Sequence, residues 1–208
     1  FVPVAVQGLA AGRNMLVALD GRWLAPYIPA LYRAYPFHLA TMEDGEKVLC
    51  IDEASGLVAD HIGEPFFSAD GAPGKAVLEI LDFFNQIEAS RQLTRSICAV
   101  LQQHGLIQPW PLVVQGEQGE QKVEGLFRID EAVLNGLTAD ALIEVRDAGG
   151  MTMAYCQLLS MQHLPTLGTL AQAHAAERKS LAEESLNSDK PNNEFVNESG
   201  TFSFGNLS

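Results

Sequence analysis

KAVLEILDFFNQIEASRQLTRSICAVLQQH, residues 75–104, is the segment that decides the fold of this chain. Its apolar side chains recur every three to four positions, which is the spacing of an amphipathic helix. Gly105 follows where a C-terminal cap belongs, because glycine tolerates the left-handed backbone of that position. The segment therefore predicts one long helix whose apolar face must be covered by other elements. That face consists of Val77, Leu81, Phe84, Ile87, Thr94, Cys98 and Leu101.

The residues ahead of this helix are predicted to be mainly β-structure. Asp20-Gly21 and Glu43-Asp-Gly-Glu46 are typical hairpin turns, since Asp and Gly accept the backbone conformations that tight turns require. A short helix over 27–35 is expected between them, begun by Pro26 and ended by Pro36. The predicted strands are 1–7, 15–19, 37–42 and 47–52.

The residues after the long helix predict two more strands, 110–115 and 122–130, followed by helices. Short helices begin at Asp130 and after Thr138, which is a good N-cap residue, and longer ones follow over 151–164 and 167–185. We therefore predict an α+β fold. A mainly antiparallel sheet from the two β-rich regions, 1–52 and 110–130, packs against the long helix and the C-terminal helices.

The domain organisation follows from a change of composition near residue 185. Residues 1–185 are expected to form one domain, and 186–208 a flexible polar tail, because this stretch has too little apolar surface to offset the entropy of ordering. Within the tail, Phe202 and Phe204 alternate with polar residues as in a short strand. That segment is expected either to dock on a sheet edge or to hang free.

Composition and charge exclude some classes of function. The 208 residues are 47% apolar and 19% charged, as in a globular protein, and no apolar run is long enough to span a bilayer. The formal charge of −13 argues against nucleic acid and against anionic lipid as partners. Cys50, Cys98 and Cys156 have no C-x-x-C spacing and lie in apolar contexts, which predicts reduced thiols and a cytoplasmic location.

Several motifs together resemble the SapC family, bacterial proteins named after a surface-layer-associated protein. The resemblance extends from Phe1 to about Leu170. Members usually have several tens of residues before the first segment, so a natural N-terminal segment is expected ahead of Phe1. The motifs include Asp20-Gly-Arg-Trp23, Tyr27-Ile-Pro-Ala30, Arg33-Ala-Tyr-Pro-Phe37, Cys50-Ile-Asp-Glu-Ala54, Gly63-Glu-Pro-Phe-Phe67, Arg91-Gln-Leu-Thr-Arg95, Leu106-Ile-Gln-Pro-Trp110 and Gly125-Leu-Phe-Arg-Ile-Asp-Glu131.

The resemblance implies a non-catalytic accessory or binding protein with a protein partner. Family members look intracellular despite the surface-layer name, and they are found with flavin-dependent halogenase-like and cupin-like proteins and with outer-membrane uptake receptors. This context implies a role in nutrient uptake or beside an oxidative enzyme, and it provides no catalytic residue and no cofactor. The alternatives are a metal-dependent or oxidative enzyme and a surface-layer-associated component.

The first candidate site is an aromatic segment. Trp23, Tyr27, Tyr32, Arg33 and Tyr35 surround the short helix between prolines, a rigid element of the kind that presents a recognition surface. Aromatic residues at helical spacing are also common in hydrophobic cores, so core packing is the competing interpretation.

The second candidate is an ion-pair network on the long helix. Arg91 and Arg95 are one turn apart near its apolar face, and Asp52 and Glu53 end a strand expected to pack on that helix. Direct ion pairs between them are predicted, and a clamp for an anionic ligand is the alternative.

No catalytic motif is present. Asp52 and Glu53 with His61 are the residues that the enzyme alternative would use around a metal, but their spacing matches no established metal motif. The sequence therefore predicts neither a metal site nor a catalytic residue.

Overall fold

The computed structural model describes residues 1–8, 12–116 and 119–188, and it confirms the α+β class. The helices among the described residues are α1 Ala30–Arg33, α2 Lys75–Gln103, α3 Glu131–Asn135, α4 Ala139–Asp147, α5 Gly150–Ser160 and α6 Leu164–Ser188. The strands are β1 Phe37–Thr41, β2 Lys47–Ile51, β3 Ile107–Pro109, β4 Leu112–Gly116, β5 Gly119–Val123 and β6 Phe127–Ile129.

The strands form three separate two-stranded antiparallel sheets instead of one continuous sheet. β1 pairs with β2, β3 with β6, and β4 with β5. The predicted strand 122–130 is interrupted at Gly125, whose φ of 80° is left-handed, so its two ends pair with different partners. Each sheet is therefore either a local hairpin or a three-residue pairing.

The first two predicted strands, 1–7 and 15–19, are not formed. Residues 1–5 are exposed and pair with no strand of the described chain, although the Phe1 ring packs against Phe127 of β6 at 4.7 Å. An apolar run without a partner strand cannot satisfy its backbone by pairing. The turn at Asp20-Gly21 does form, but only Val17 and Trp23 make a β-bridge across it. These residues therefore form an extended loop that is anchored by a few bonds, such as Met15 N to Gln7 O at 2.7 Å.

Helix α2 confirms the predicted long helix and its cap. Gly105 has a φ of 67°, and its N–H donates to the Gln102 carbonyl at 2.9 Å. The Leu106 N–H donates to the Leu101 carbonyl, also at 2.9 Å, which completes a Schellman motif. This turn sends the chain directly into β3.

The buried core lies around the C-terminal half of α2. It joins that half to β6 and to helices α3, α4 and α5, and Leu106 and Val145 are completely buried in it. Gly150 sits at a close approach, because a Cβ there would lie 2.9 Å from the Val145 carbonyl oxygen. The core members are Leu101, Leu106, Ile129, Leu134, Val145 and Ala154.

The division into a domain and a tail stays a prediction. Helix α6 continues to Ser188, three residues beyond the expected boundary, and residues 189–208 lie outside the described part of the chain, together with the predicted terminal strand. Among the described residues no helix is both long and apolar enough to cross a bilayer.

Candidate functional site

An open cleft of about 1110 Å³ separates the β1–β2 hairpin from the middle of α2. Its floor is apolar, with Phe37 and Ile51 from the hairpin and Phe84 and Ile87 from α2. Phe37 and Ile51 are direct cross-strand partners, so their side chains share one face of the hairpin. The cleft therefore lies where the hairpin and the helix incompletely cover each other's apolar faces.

The polar part of the lining contains three bases and three acids. The bases are Lys47, Arg91 and Arg95, and the acids are Asp52, Glu53 and Glu88. With His38 neutral, the formal charges in the cleft balance, in contrast to the excess of acids over the whole chain. The cleft is thus a locally balanced region on an acidic protein.

Glu88 is the centre of the ion pairs in this cleft. Its Oε2 lies 3.0 Å from Lys47 Nζ and 3.9 Å from Arg91 Nη1. The hydrogen bond from Lys47 lowers the pKa of Glu88, and the charges of Lys47, Arg91 and Arg95 add to this effect against the opposing effect of burial. Glu88 is consequently an ionised acid that holds the hairpin against α2.

The predicted pairs between the arginines and Asp52 or Glu53 are not formed among the described residues. Arg91 contacts Glu88 instead, and Arg95 makes no ion pair there, although its charge acts on Glu88 at longer range. Both arginines are exposed at the rim of the cleft, so neither is a buried charge that requires a partner.

The arginines do not meet Asp52 and Glu53 because of where the hairpin lies along α2. Arg33 lies over the Phe83 ring at 5.3 Å, and Tyr35, two residues later, binds Asp52, which places the acids toward the Phe83 end of the cleft. Lys47, at the opposite end of β2, contacts Glu88. The arginines follow Glu88 along α2, roughly 10 Å and 16 Å beyond Phe84 at the helical rise per residue.

Asp52 is held by four hydrogen bonds at the end of β2, one of which runs from Ser55 N to the Asp52 carbonyl at 3.2 Å. Its Oδ1 accepts from Ala54 N at 3.0 Å and caps the short 3-10 turn Glu53–Ser55. Its Oδ2 accepts from the Tyr35 hydroxyl at 3.3 Å, and its backbone N–H donates to the Pro36 carbonyl at 3.0 Å. Desolvation, followed by the charge of Asp52, raises the pKa of Tyr35.

The five residues of the predicted aromatic surface lie together in one patch around α1, which we call the aromatic patch: Trp23, Tyr27, Tyr32, Arg33 and Tyr35. The Trp23 and Tyr32 rings are 5.6 Å apart, and Trp23 Nε1 donates to the Tyr27 carbonyl at 3.1 Å. The Tyr32 hydroxyl donates to Gln7 Oε1 at 2.8 Å, which ties the patch to the N-terminal segment. These contacts hold the rings in a defined arrangement.

Arg33 fastens the aromatic patch to α2. Its guanidinium lies 5.4 Å from the centre of the Tyr27 ring and 5.3 Å from that of Phe83, and its Nη2 donates to the Tyr27 hydroxyl at 3.3 Å. A planar guanidinium between two rings is a favourable arrangement for arginine. The patch is therefore positioned by the same helix that forms one wall of the cleft.

The tyrosines of the patch are on the surface. Tyr27, Tyr32 and Tyr35 are 64%, 50% and 53% exposed, and the apolar neighbours Ile28 and Leu31 are 42% and 60% exposed. Core packing, the competing interpretation of these rings, requires burial, and this geometry does not provide it. Five large side chains within nine residues thus form an exposed apolar surface beside the cleft.

The sequence model of the SapC family matches residues 1–167, which is most of the chain. The chain belongs to the SapC family. The match includes the whole cleft and the whole aromatic patch, so both are parts of the SapC domain. No curated protein and no solved structure matches this SapC chain.

Sequence reasoning missed two residues of this SapC cleft. Glu88 stands three residues before Arg91, and this i,i+3 spacing on a helix is a recognisable ion-pair signal. Lys47 had no comparable signal, because its contact with Glu88 depends on how the hairpin packs on α2. His38 also lines the cleft, next to Phe37 in β1.

The residues named for the metal-dependent alternative are not assembled. His61 is exposed in the segment between the 3-10 turn and α2, and it is not in the lining of the cleft that contains Asp52 and Glu53. In the described part of the chain, no three His, Cys, Asp or Glu side chains are grouped closely enough to hold a metal ion.

Proposed function

We propose that this SapC-family chain is a non-catalytic accessory protein that binds a partner protein through the aromatic patch. The observation that supports the proposal is the exposure of Tyr27, Tyr32 and Tyr35, each at least half exposed, on a segment whose geometry is fixed by hydrogen bonds and ring contacts. Pre-organised tyrosines bury a large area in an interface and lose little conformational entropy, which is why they are common at binding hot spots.

The class of partner is proposed from the resemblance of the motifs. An oxidative enzyme of the halogenase-like or cupin-like type, or a component of nutrient uptake, is the partner that this context suggests, with binding in the cytoplasm. The acidic surface, with a formal charge of −13, favours a partner whose facing surface is basic.

The test is a quantitative affinity capture from extract of the native host, with the unmodified chain and with the double variant Tyr27→Ala, Tyr32→Ala as baits. Both tyrosines are at least half exposed, so the double variant is expected to fold, and a thermal melt checks this. Leu159→Ala is the matched control, because Leu159 is 64% exposed on α5 outside the patch. Removal of hot-spot tyrosines is expected to weaken binding of the true partner by at least about tenfold.

Capture is followed by titration of the purified partner by calorimetry. A protein that is retained by the unmodified chain and by Leu159→Ala, lost with the double variant and bound directly in the titration supports the proposal. An identical set of captured proteins for all three baits contradicts it.

A further inference from the structure

Two pairs of like charges lie at different ends of the cleft: the bases Arg91 and Arg95 at one end, and the acids Asp52 and Glu53 at the other. We call them the two charge pairs. Lys47 is neutralised by Glu88 at 3.0 Å, and this leaves Arg91 and Arg95 beyond Glu88 and Asp52 and Glu53 toward the Phe83 end. Arg91 reaches Glu88 only at 3.9 Å, and Arg95 forms no ion pair among the described residues. The two arginines therefore face the cleft at one end and the two acids at the other. Asp52 already accepts from Ala54 N and from the Tyr35 hydroxyl, and a carboxylate has further lone pairs for a donor of the ligand.

The distance between the two charge pairs sets the size of that ligand. Arg33 over the Phe83 ring and Tyr35 on Asp52 place the acidic end toward Phe83, and from the adjacent Phe84 the helix rise places Arg91 and Arg95 roughly 10 to 16 Å away. An extended peptide advances by about 3.3 Å per residue, so a chain of three to five residues covers this span. A free amino acid is too short to contact both pairs at once.

The floor between the two charge pairs is apolar, apart from the Lys47–Glu88 ion pair that joins the two walls of the cleft before the arginines. Phe37, Ile51, Phe84 and Ile87 line it, and a ligand that lies along it must present apolar side chains to be favoured over water. The charges at the two ends then require an ammonium group near Asp52 and Glu53 and a carboxylate near the arginines, whose planar guanidinium groups suit carboxylates.

We infer that the cleft is a binding site for a short apolar peptide with free termini, in an extended conformation. Its N-terminal ammonium lies at Asp52 and Glu53, its carboxylate at Arg91 and Arg95, and its side chains lie on the floor of the cleft. This site adjoins the aromatic patch, because Tyr35 belongs to the patch and also lines the cleft. Tyr27 and Tyr32, the two residues changed in the test of partner binding, do not line the cleft. The inference therefore does not depend on the partner that the patch binds.

The experiment uses a library of tetrapeptides with free termini, built from Ala, Val, Leu and Phe at every position. The library is incubated with the full chain, and the protein with its bound peptides is separated from the unbound peptides. The bound peptides are identified by mass spectrometry, and the enriched sequences are titrated by calorimetry. The same sequences are then measured as dipeptides and with an acetylated N-terminus or an amidated C-terminus. Binding is expected to fall by about tenfold for each blocked terminus, because each block removes a charge-assisted contact.

Three variants connect the binding to the residues. Arg91→Gln with Arg95→Gln is expected to remove the preference for a free carboxylate, and Glu53→Gln to weaken the preference for a free ammonium, while Tyr27→Ala leaves the affinity unchanged. Arg146→Gln is the matched control, because its side chain is 65% exposed and pairs with Asp147, and neither residue lines the cleft. Since Glu53 and both cleft arginines are exposed, these variants are expected to keep the melting temperature.

Each result of the peptide experiment either supports or overturns the proposed site. Enriched tetrapeptides that lose affinity on blocking and in the arginine variant support the site. A library from which the native chain retains no tetrapeptide above the level of the arginine variant overturns it, and so does equal binding of blocked and free peptides. The double variant Tyr27→Ala, Tyr32→Ala is measured in both experiments. If it loses the captured partner but binds the peptides with unchanged affinity, the peptide site is supported independently of the partner surface.

Discussion

Lys47 Nζ lies 3.0 Å from Glu88 Oε2, and this contact joins the β1–β2 hairpin to the middle of α2 across the cleft. The side chains are 41% and 25% exposed, so the pair is partly shielded from solvent. It sets how far along α2 the hairpin lies, and with it the separation of Asp52 and Glu53 from Arg91 and Arg95. The geometry of the cleft therefore depends in part on this ion pair between distant parts of the sequence, together with the contact of Arg33 with the Phe83 ring.

The first prediction concerns the pH dependence of this pair. The pKa of Glu88 is lowered from its ordinary value of 4.5, so its stabilising contribution is present above that value and is lost as the pH falls through the folded-state pKa. We expect Lys47→Met to be less stable than the native chain at neutral pH. The difference should shrink below pH 4.5, as measured by urea denaturation at a series of pH values.

Lys75→Met is the control for this series. Lys75 pairs with Glu79 at 3.6 Å on the exposed start of α2, with side chains 90% and 67% exposed, and such pairs contribute little. An equal loss of stability in both variants at neutral pH would show that the Lys47–Glu88 contact has no special role.

The second prediction concerns Tyr35. Desolvation and the charge of Asp52 both raise the pKa of its hydroxyl. Asp52→Asn removes the charge but keeps a side-chain oxygen for the cap of the 3-10 turn, so Tyr35 should ionise at lower pH, still above its ordinary value because desolvation remains. Titration of the Tyr35 ring signal by NMR, assigned with Tyr35→Phe, measures this. No change in Tyr35 ionisation would mean that Asp52 does not act on the hydroxyl.

The third prediction concerns the close packing at Gly150. A Cβ at this position would lie 2.9 Å from both Val145 Cγ1 and the Val145 carbonyl oxygen, and 3.1 Å from Leu101 Cδ2. The carbonyl belongs to the backbone of α4 and cannot move without shifting the helix. Gly150→Ala should therefore lower the free energy of unfolding by about 1–3 kcal/mol, the usual effect of overpacking, in a denaturant titration.

Gly168→Ala tests the same substitution without the crowding. Gly168 is exposed in α6, and a Cβ there meets no atom within 4 Å. Because alanine favours the helix, this variant should gain about 0.5–1 kcal/mol of stability. A loss of stability at Gly168, or none at Gly150, would contradict the packing described around α5.

The fourth prediction concerns the core residue at the end of α2. Leu106 is completely buried and follows the Schellman motif that ends the helix. Leu106→Ala should reduce the free energy of unfolding by about 2–5 kcal/mol, since it leaves a cavity between α2 and the C-terminal helices. Leu159→Ala, at a side chain 64% exposed, should change it far less, and comparable losses in the two variants would place Leu106 outside the core.

Local patterns in the sequence determined the long helix, its cap and the first paired hairpin. The spacing of Phe84, Cys98 and Leu101 indicated the buried face of α2, and Gly105 indicated its end, because both signals depend only on residues a few positions apart. The turn at Glu43–Glu46 similarly determined the pairing of β1 with β2. The family motifs could also be recognised without a structure, because a motif is defined by residue types at given positions of the sequence.

Only the tertiary structure decided which residues meet across the cleft. Residues 1–7 have the pattern of a strand, yet among the described residues they pair with no strand, and Phe1 contacts β6 only through the Phe127 ring. The sequence offered Asp52 and Glu53 as partners for Arg91 and Arg95, but the packing of the hairpin on α2 placed Lys47 at Glu88 and the acids nearer Phe83. An offset of about seven residues along a helix moves charges by about 10 Å, and no local pattern encodes that offset.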